Sequence, residues 1–168
     1  MPNRLLIPDV INAQTLPTVA PGQMVVTAAK SMAAGGAGAT IITTDGTVEG
    51  EIIGIFTEND LNNRVVAAGR DPAHTLVGEV MTQKPYALGP NATAKDALQF
   101  MNRHHCTHLP VVYNGRLVGL ASIKDLFVVI NQQLEDDIAE VEDFVFGNAY
   151  SLRPTSGSEA PTSEILYN

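Results

Sequence analysis

An internal repeat constrains this chain more than any other feature of its sequence. Three positions of one predicted helix return 69 positions later: Pro21, Ala28 and Met32 recur as Pro90, Ala97 and Met101. The apolar strands that follow these helices, 39–43 and 108–112, keep the same offset. Because a folded unit of roughly 60 residues is only marginally stable alone, the two copies are predicted to lean on each other.

Each copy is predicted to run helix, strand, hairpin turn, strand and helix. The offset falls to 65 after the first strand, because the first copy carries four extra residues in its turn around Asp45, Gly46 and Gly50. The second copy turns at Asn114-Gly115, which is a strong hairpin signal. This order of elements predicts a mixed α/β (α+β) fold.

A short motif follows the turn in each copy, at 54–61 and at 119–126. It reads glycine, two apolar residues, a hydroxyl residue, two variable residues, aspartate and leucine. Its hydroxyl and carboxyl residues are the pairs Thr57 with Asp60 and Ser122 with Asp125. Both pairs lie where the last strand of a copy passes into its last helix.

Two interpretations of this motif are open. In one, each pair is a helix N-cap with an acid in the first turn. In the other, the helix N-terminus holds an anion, the carboxylate accepts ribose hydroxyls, and Gly54 or Gly119 lets a ligand approach the backbone. One copy leaves the two interpretations about even, whereas two matched copies favour a duplicated ligand site.

These residues resemble the cystathionine-β-synthase (CBS) domain family, and residues 10–130 resemble a tandem pair of such domains, often called a Bateman module. The resemblance is carried by 54–61, 108–112, 119–126 and a linker strand at 79–82. It implies two β-α-β-β-α repeats packed sheet to sheet with pseudo-twofold symmetry and two equivalent clefts. A C-terminal helix, predicted from its residue pattern below, completes the expected fold. The predicted boundaries are 10–70 for CBS domain 1, 78–131 for CBS domain 2, 132–147 for a C-terminal acidic helix and 148–168 for a polar tail.

The resemblance implies that the clefts bind an adenosyl ligand such as AMP, ADP, ATP or S-adenosylmethionine. The family's ribose-binding aspartate corresponds to Asp60 and Asp125, and its hydroxyl residue corresponds to Thr57 and Ser122. The ligand is not a catalytic cofactor in this interpretation.

The second copy offers the more polar wall to such a ligand. The residues that resemble the nucleotide border in that copy are Thr107, His108 and Pro110, whereas the first copy has Gly38, Ala39 and Ile41. Lys124 either adds a positive charge near phosphates or lies in solvent. If only one cleft is occupied, we predict that it is the cleft built on Asp125 and Ser122.

Composition excludes several other classes of protein. Apolar residues make up 45% of the 168 residues and charged residues 17%, which is typical of a folded domain. No apolar run reaches the roughly 18 residues of a membrane span, and the single cysteine fits a reducing compartment, so we predict a cytoplasmic protein. The net charge is −8, of which six acids within 135–143 contribute −6. This balance argues against double-stranded nucleic acid as a partner.

The residues His104, His105, Cys106 and His108 are the only cluster of soft metal ligands in the sequence. Zinc is disfavoured because His104 and His108 lie across a helix-to-strand transition and no second cluster supplies further ligands. A basic rim near phosphates that includes Arg103 is favoured instead. Cys106 has no recognisable base and oxyanion hole, so no catalytic residue and no metal are predicted.

The segment 131–146 is predicted to form an acidic helix with one apolar stripe, Leu134, Ile138, Val141 and Val145. The stripe either packs on its own module or crosses to a partner chain. Since tandem pairs of the resembled family often form homodimers, we expect a homodimer that this helix braces.

The favoured function is regulatory: nucleotide binding shifts the two copies and the change passes to an unknown effector protein. An oligomerisation scaffold with non-functional clefts is the alternative. A nucleotide-hydrolysing enzyme is disfavoured, because Glu58, the acid paired with Asp60, has Ile123 at its counterpart.

Overall fold

The computed structural model describes residues 4–11 and 15–150. The first repeat consists of strand β1 (Thr18–Val19), helix α1 (Val25–Gly35), strands β2 (Ala39–Thr43) and β3 (Ile52–Thr57), and helix α2 (Glu58–Asp60), which continues as a π-helical segment, Leu61–Val66. The linker contains helix α3 (Val77–Val80) and strand β4 (Thr82–Gln83). The linker strand predicted at 79–82 is therefore wrong in its first half, where Glu79 and Val80 are helical.

The second repeat consists of helix α4 (Ala94–His104), strands β5 (His108–Tyr113) and β6 (Arg116–Ser122), and helix α5 (Ile123–Tyr150). Helix α5 joins the last helix of the repeat to the predicted acidic helix at 132–147 without a break. The predicted tail begins inside this helix, and its residues 151–168 lie outside the described residues. In the described part of the chain, no helix combines the length and the apolar character needed to cross a membrane.

The two hairpins share one register. The first residue of the leading strand pairs with the hydroxyl residue of the motif in each copy: Ala39 with Thr57, and His108 with Ser122. The register also shifts at matched places, between 42 and 43 and between 111 and 112. Asn114 and Gly115 both have positive φ, 49° and 76°, as the predicted tight turn requires.

Three apolar clusters form the core. One lies within the first repeat around Phe56 and Val65, and one within the second around Leu109 and Leu126. The third joins the two sheets and contains Ala39, Ile41, Ile55, Leu117 and Leu120. Full burial of a side chain such as Leu120 contributes about 1.5–3 kcal/mol, so this shared cluster holds the repeats together. The predicted fold of two repeats packed sheet to sheet is confirmed.

The N-terminal segment packs on the second repeat, which the sequence analysis did not predict. Leu6 is fully buried in the core of that repeat, and Ile11 is 4% exposed in the same cluster. The Leu6 amide donates to the carbonyl of Ala92 at 2.8 Å, and the Ala94 amide donates to the carbonyl of Arg4 at 2.8 Å. The segment therefore ties the start of the chain to the start of α4.

The expectation that Gly54 and Gly119 let a ligand approach the backbone is wrong. Other segments of the protein occupy the space beside both glycines. A Cβ on Gly54 would clash with Sδ of Met81 and lie 3.2 Å from the carbonyl oxygen of Thr82 in β4. A Cβ on Gly119 would lie 2.9 Å from Cδ1 of Ile11. The space that a ligand was expected to use is filled by β4 in one copy and by the N-terminal segment in the other.

Replacing Gly54 with alanine tests this packing. We expect Gly54→Ala to lower the free energy of unfolding by about 1–3 kcal/mol, because Met81 and β4 must move. Gly89→Ala is the matched control, since a Cβ there meets nothing within 4 Å, and its change should stay within about 0.5 kcal/mol. Urea unfolding of both variants measures the difference, and equal stability would contradict the packing argument.

Candidate functional site

A cavity of about 860 Å³ lies where the ends of the two hairpins meet. Its wall comes from both repeats, at 15–17, 32–38, 57–59, 107–108 and 122–125, with further contributions from Ala29, Leu61 and Leu120. This volume is within the range of small-molecule sites, roughly 300–1,000 Å³. The cavity exists because the shared sheet packing brings the strand ends of both copies together.

The cavity wall combines apolar and polar side chains. Its large apolar residues are Leu16, Pro17, Met32, Leu61, Leu120 and Ile123. Its ionisable residues are Glu58, His108, Lys124 and Asp125, and its hydroxyl residues include Thr57, Thr107 and Ser122. The described wall can therefore bury a flat apolar group and hydrogen-bond a polar one beside it.

Asp125 caps helix α5 with one oxygen only. Its Oδ2 accepts a hydrogen bond from Oγ of Ser122 at 2.6 Å and one from the Ser122 amide at 3.3 Å. The Asp125 amide donates back to Oγ of Ser122 at 3.2 Å. Within the described residues Oδ1 of Asp125 has no hydrogen-bonding partner, and this side chain lines the cavity. The cap and the capacity to bind a ligand coexist in one carboxylate.

Asp60 makes the same cap but has no free oxygen. Its Oδ2 accepts from the amide and from Oγ1 of Thr57, both at 2.9 Å. Its Oδ1 faces Nε of Arg64 at 3.3 Å and accepts from Oγ1 of Thr82 at 3.3 Å. Asp60 is 8% exposed and does not line the cavity. Both oxygens of this carboxylate are therefore bound by other groups of the protein.

The difference between the two aspartates has an identifiable cause. Arg64 corresponds to Val129 in the second repeat, which is 9% exposed within the core of that repeat. Thr82 belongs to β4, which pairs with β3, whereas β6 pairs only with β5 in the described residues. Arg64 lies four residues after Asp60 on a helix, a spacing typical of an ion pair. The sequence thus contained a signal for the pairing of Asp60.

The structure brings six of the eight predicted site residues to the cavity: Thr57, Thr107, His108, Ser122, Lys124 and Asp125. Asp60 and Pro110 do not line it, and Pro110 lies buried in β5 opposite Leu120. Glu58 and the 15–17 and 32–37 segments also line the cavity but were not predicted to belong to the site. Glu58 occupies a variable position of the 54–61 motif, and the two segments reach the cavity through packing between the repeats.

Glycine at position 38 permits close contact between the repeats. A Cβ there would lie 3.1 Å from Cε1 of His108 and 3.3 Å from Cδ of Glu58. On the other side of the His108 ring, Nδ1 lies 3.0 Å from Oγ1 of Thr107. The small residue in the first copy thus accommodates the larger histidine of the second.

The charges around His108 act on its protonation. Burial is the main cause that lowers the pKa of His108 below its ordinary value. The carboxylates of Glu58 and Asp125 raise this pKa, and the ammonium group of Lys124 lowers it. The net shift is downward, so the imidazole is neutral at pH 7 and can either donate or accept a hydrogen bond in the cavity.

The predicted basic rim is wrong, since Arg103, His104 and His105 do not line the cavity. His104 stacks against Phe100 and Tyr86, with ring centroids 4.2 and 4.4 Å apart. His105 ends α4 in a left-handed conformation, with φ of 53°.

The other soft ligands do not converge either. Nowhere in 4–11 and 15–150 do three His, Cys, Asp or Glu side chains form a group that could hold a metal ion. Burial raises the pKa of the Cys106 thiol, which keeps it protonated near pH 7.

Comparison with known proteins gives matches along most of the described chain. The family model described as the CBS domain matches residues 77–132. The CBS domain-containing protein YhcV of Bacillus subtilis is 35% identical over 111 residues, covering 66% of this chain and 76% of YhcV. The chain is also similar to parts of the CBS domain-containing proteins CBSCBSPB2 and CBSCBSPB3 of Arabidopsis thaliana, but spans only 19% and 18% of their lengths.

Solved structures show the same fold. A protein with CBS domains from Burkholderia ambifaria superposes with a TM-score of 0.64 at 37% identity, covering 70% of this chain and 83% of the other. The CBS domain protein PAE2072 from Pyrobaculum aerophilum, solved in complex with AMP, superposes with a TM-score of 0.60. It is 23% identical, and the match covers 73% of this chain and 88% of that protein.

The pKa of His108 provides a test of the cavity electrostatics. We expect the His108 imidazole to titrate below its ordinary pKa in an NMR titration of the ligand-free protein. Glu58→Gln should lower this pKa further, and Lys124→Met should raise it. Glu79→Gln is the control, because Glu79 does not line the cavity and pairs with Arg70 instead, and it should leave the pKa of His108 unchanged.

The same shift predicts the direction of the pH dependence of stability. His108 binds a proton less readily in the folded chain than in the unfolded chain. The contribution of neutral His108 to the free energy of unfolding is therefore complete above about pH 6.5 and is lost as the pH falls towards the pKa of the folded state. A His108 pKa above its ordinary value, or one insensitive to Glu58 and Lys124, would contradict this arrangement.

Proposed function

Since the chain belongs to the family of CBS domain-containing proteins, we propose that it is a regulatory module that binds an adenosyl ligand in the cavity between its repeats. The observation that carries the proposal is the free Oδ1 of Asp125 in a cavity of ligand size. A carboxylate in this position can accept hydrogen bonds from the two hydroxyls of a ribose.

The remaining wall suits the other parts of such a ligand. The apolar side chains of Leu16, Pro17 and Met32 offer a surface on which an adenine ring can be buried. The Lys124 ammonium group and the Thr107 hydroxyl can hold a phosphate. We propose these roles because the residue types match the three chemical parts of an adenosyl ligand.

The charge of the cavity favours a ligand with few negative charges. Glu58 and Asp125 place two carboxylates on the wall, against the single ammonium group of Lys124. Each further phosphate therefore adds repulsion as well as attraction. We propose that AMP or the cationic S-adenosylmethionine binds more tightly than ADP or ATP. AMP is also the ligand of the Pyrobaculum protein with this fold.

We propose one ligand for each chain. The second cleft implied by family symmetry would depend on Asp60, whose two oxygens are already bound by Thr57, Thr82 and Arg64. Removing Asp60 from these partners to bind ribose would leave the Arg64 guanidinium without its carboxylate. The repeat is thus proposed to retain ligand binding at Asp125 and a structural role at Asp60.

We propose that the module is not an enzyme and acts on an effector protein in the cytoplasm, as a homodimer or in complex with that effector. The two repeats share the cavity wall, so a ligand that contacts both can bias their relative arrangement. The size of that bias is limited by the difference in ligand affinity between the two arrangements.

The scaffold alternative is supported by one observation. Both motif pairs form helix caps, with the hydroxyl residue as the N-cap and the aspartate in the first turn, as in the simplest interpretation of their sequence. A third pair, Thr93 with Asp96, also caps α4 through the threonine hydroxyl without lining the cavity. A cap motif therefore does not by itself make a ligand site, and binding has to be measured.

Substitution of Asp125 tests the proposed function. Asp125→Asn should weaken binding of AMP and S-adenosylmethionine at least about tenfold, because a charged hydrogen bond to the ligand is lost. Asp96→Asn is the matched control: it alters the same type of cap outside the cavity and should leave affinity unchanged. Isothermal titration calorimetry measures both. No heat from any adenosyl ligand with the unsubstituted protein would favour the scaffold.

Substitution of Asp60 tests the assignment of one ligand to one cleft. Asp60→Asn should lower the free energy of unfolding by about 1–3 kcal/mol, because a buried hydrogen-bonded charge is removed. The stoichiometry and affinity in the same calorimetric titration should not change. A loss of one binding site without loss of stability would assign a second ligand to Asp60 instead.

A further inference from the structure

Helix α5 carries an exposed apolar surface in its C-terminal part. We name the residues Leu134, Ile138, Val141 and Val145 the distal stripe. Their exposed fractions are 55%, 59%, 57% and 54%. At about 100° of rotation per residue, the four side chains lie within about 60° of the helix surface. These four residues form a narrow stripe, as in helices that pair with one other helix, and Phe144, which is 75% exposed, borders it on one side.

The order of residues in the distal stripe is that of a two-stranded coiled coil. The spacings of four, three and four place Ile138 and Val145 at a positions and Leu134 and Val141 at d positions. β-branched residues at a with leucine at d favour two strands. Asn131 lies one heptad before Ile138 and so also occupies an a position, where asparagine specifies register.

The flanks of the distal stripe carry only negative charge. Glu135 and Glu142 occupy the e positions on one side of the stripe and Asp137 occupies a g position on the other, while no Lys, Arg or His occurs between 125 and 152. In a pair of identical helices these flanks face each other, whether the helices run parallel or antiparallel. Carboxylates would then oppose carboxylates, which disfavours a second copy of this chain as the partner.

We propose that the distal stripe binds an amphipathic helix of another protein, with apolar a and d residues and with Lys or Arg at the flanking e and g positions. The apolar stripes bury each other, and the basic flanks pair with the acidic ones. Complementary charges at e and g positions set partner choice in coiled coils. The stripe is thus a docking surface that selects a basic helix.

This partner is a candidate for the effector of the proposed function, but the test involves no nucleotide. A failure of nucleotide binding and a failure of helix docking would therefore be seen in separate experiments, and either result can occur without the other.

Two synthetic peptides test the proposal. Both have four heptads with isoleucine at a, leucine at d and one asparagine at an a position; one has lysine at e and g, and the other has glutamate there. Fluorescence anisotropy of each labelled peptide is measured during titration with the full chain. We expect the lysine peptide to bind at least about tenfold more tightly, and the difference to shrink at high salt.

Substitutions in α5 locate the binding surface. Ile138→Glu should weaken binding of the lysine peptide at least about tenfold. Ala139→Glu is its matched control: it adds the same charge at the next residue, outside the stripe, and should not weaken binding. Glu135→Lys combined with Glu142→Lys leaves the stripe intact and should shift the preference towards the glutamate peptide.

Three results would overturn the proposal. The first is equal binding of the two peptides, and the second is no binding of the lysine peptide to the unsubstituted chain. The third is a dimer of the full chain in sedimentation equilibrium that Ile138→Glu dissociates and Ala139→Glu does not. This last result would assign the stripe to a second copy, as in the homodimer expected from the sequence.

Discussion

The apolar packing of one repeat's sheet against the other determines where the functional groups of this protein lie. Ile41 and Ile55 of the first sheet and Leu117 and Leu120 of the second share one buried cluster. This packing places the start of β5 beside the loop before β2, so that His108 approaches Gly38 and Glu58. Neither repeat alone would enclose the cavity, since its wall is drawn from both.

The pseudo-symmetry of the fold is broken at the two motif aspartates. Backbone register and helix caps are repeated closely, but Arg64 and Thr82 bind the remaining oxygen of Asp60. The second repeat has Val129 in the core instead, and among the residues that the structure describes no strand pairs with β6 as β4 pairs with β3. One copy of the motif has become a structural ion pair. The other leaves Oδ1 of Asp125 without a hydrogen-bonding partner among the described residues, and this is the oxygen that we propose binds the ligand. Under that proposal, the two copies of one sequence pattern serve fold and function separately.

The sequence predicted features that depend on local interactions. The hairpin at Asn114-Gly115, the strand 39–43 and the caps at Thr57 and Ser122 follow from turn and capping preferences of a few neighbouring residues. The repeat then predicted that such features occur twice. Packing between distant segments could not be predicted in this way. Such packing brings Glu58 to the cavity wall, buries Leu6 in the second repeat and fills the space beside Gly54.

Helix caps also show why a motif must be placed in its fold before it is given a function. Thr93 and Asp96 have the same spacing as the two motif pairs and share two of their hydrogen bonds, between the hydroxyl and the carboxylate and between the aspartate amide and the hydroxyl, yet they lie outside the cavity wall. A crystal structure of the protein grown with AMP would show whether the free carboxylate oxygen of Asp125 holds a ribose. We expect AMP in the cavity between the repeats, with its ribose hydroxyls within hydrogen-bonding distance of the Asp125 carboxylate. AMP bound beside Asp60, or a cavity without AMP at saturating concentration, would contradict this expectation.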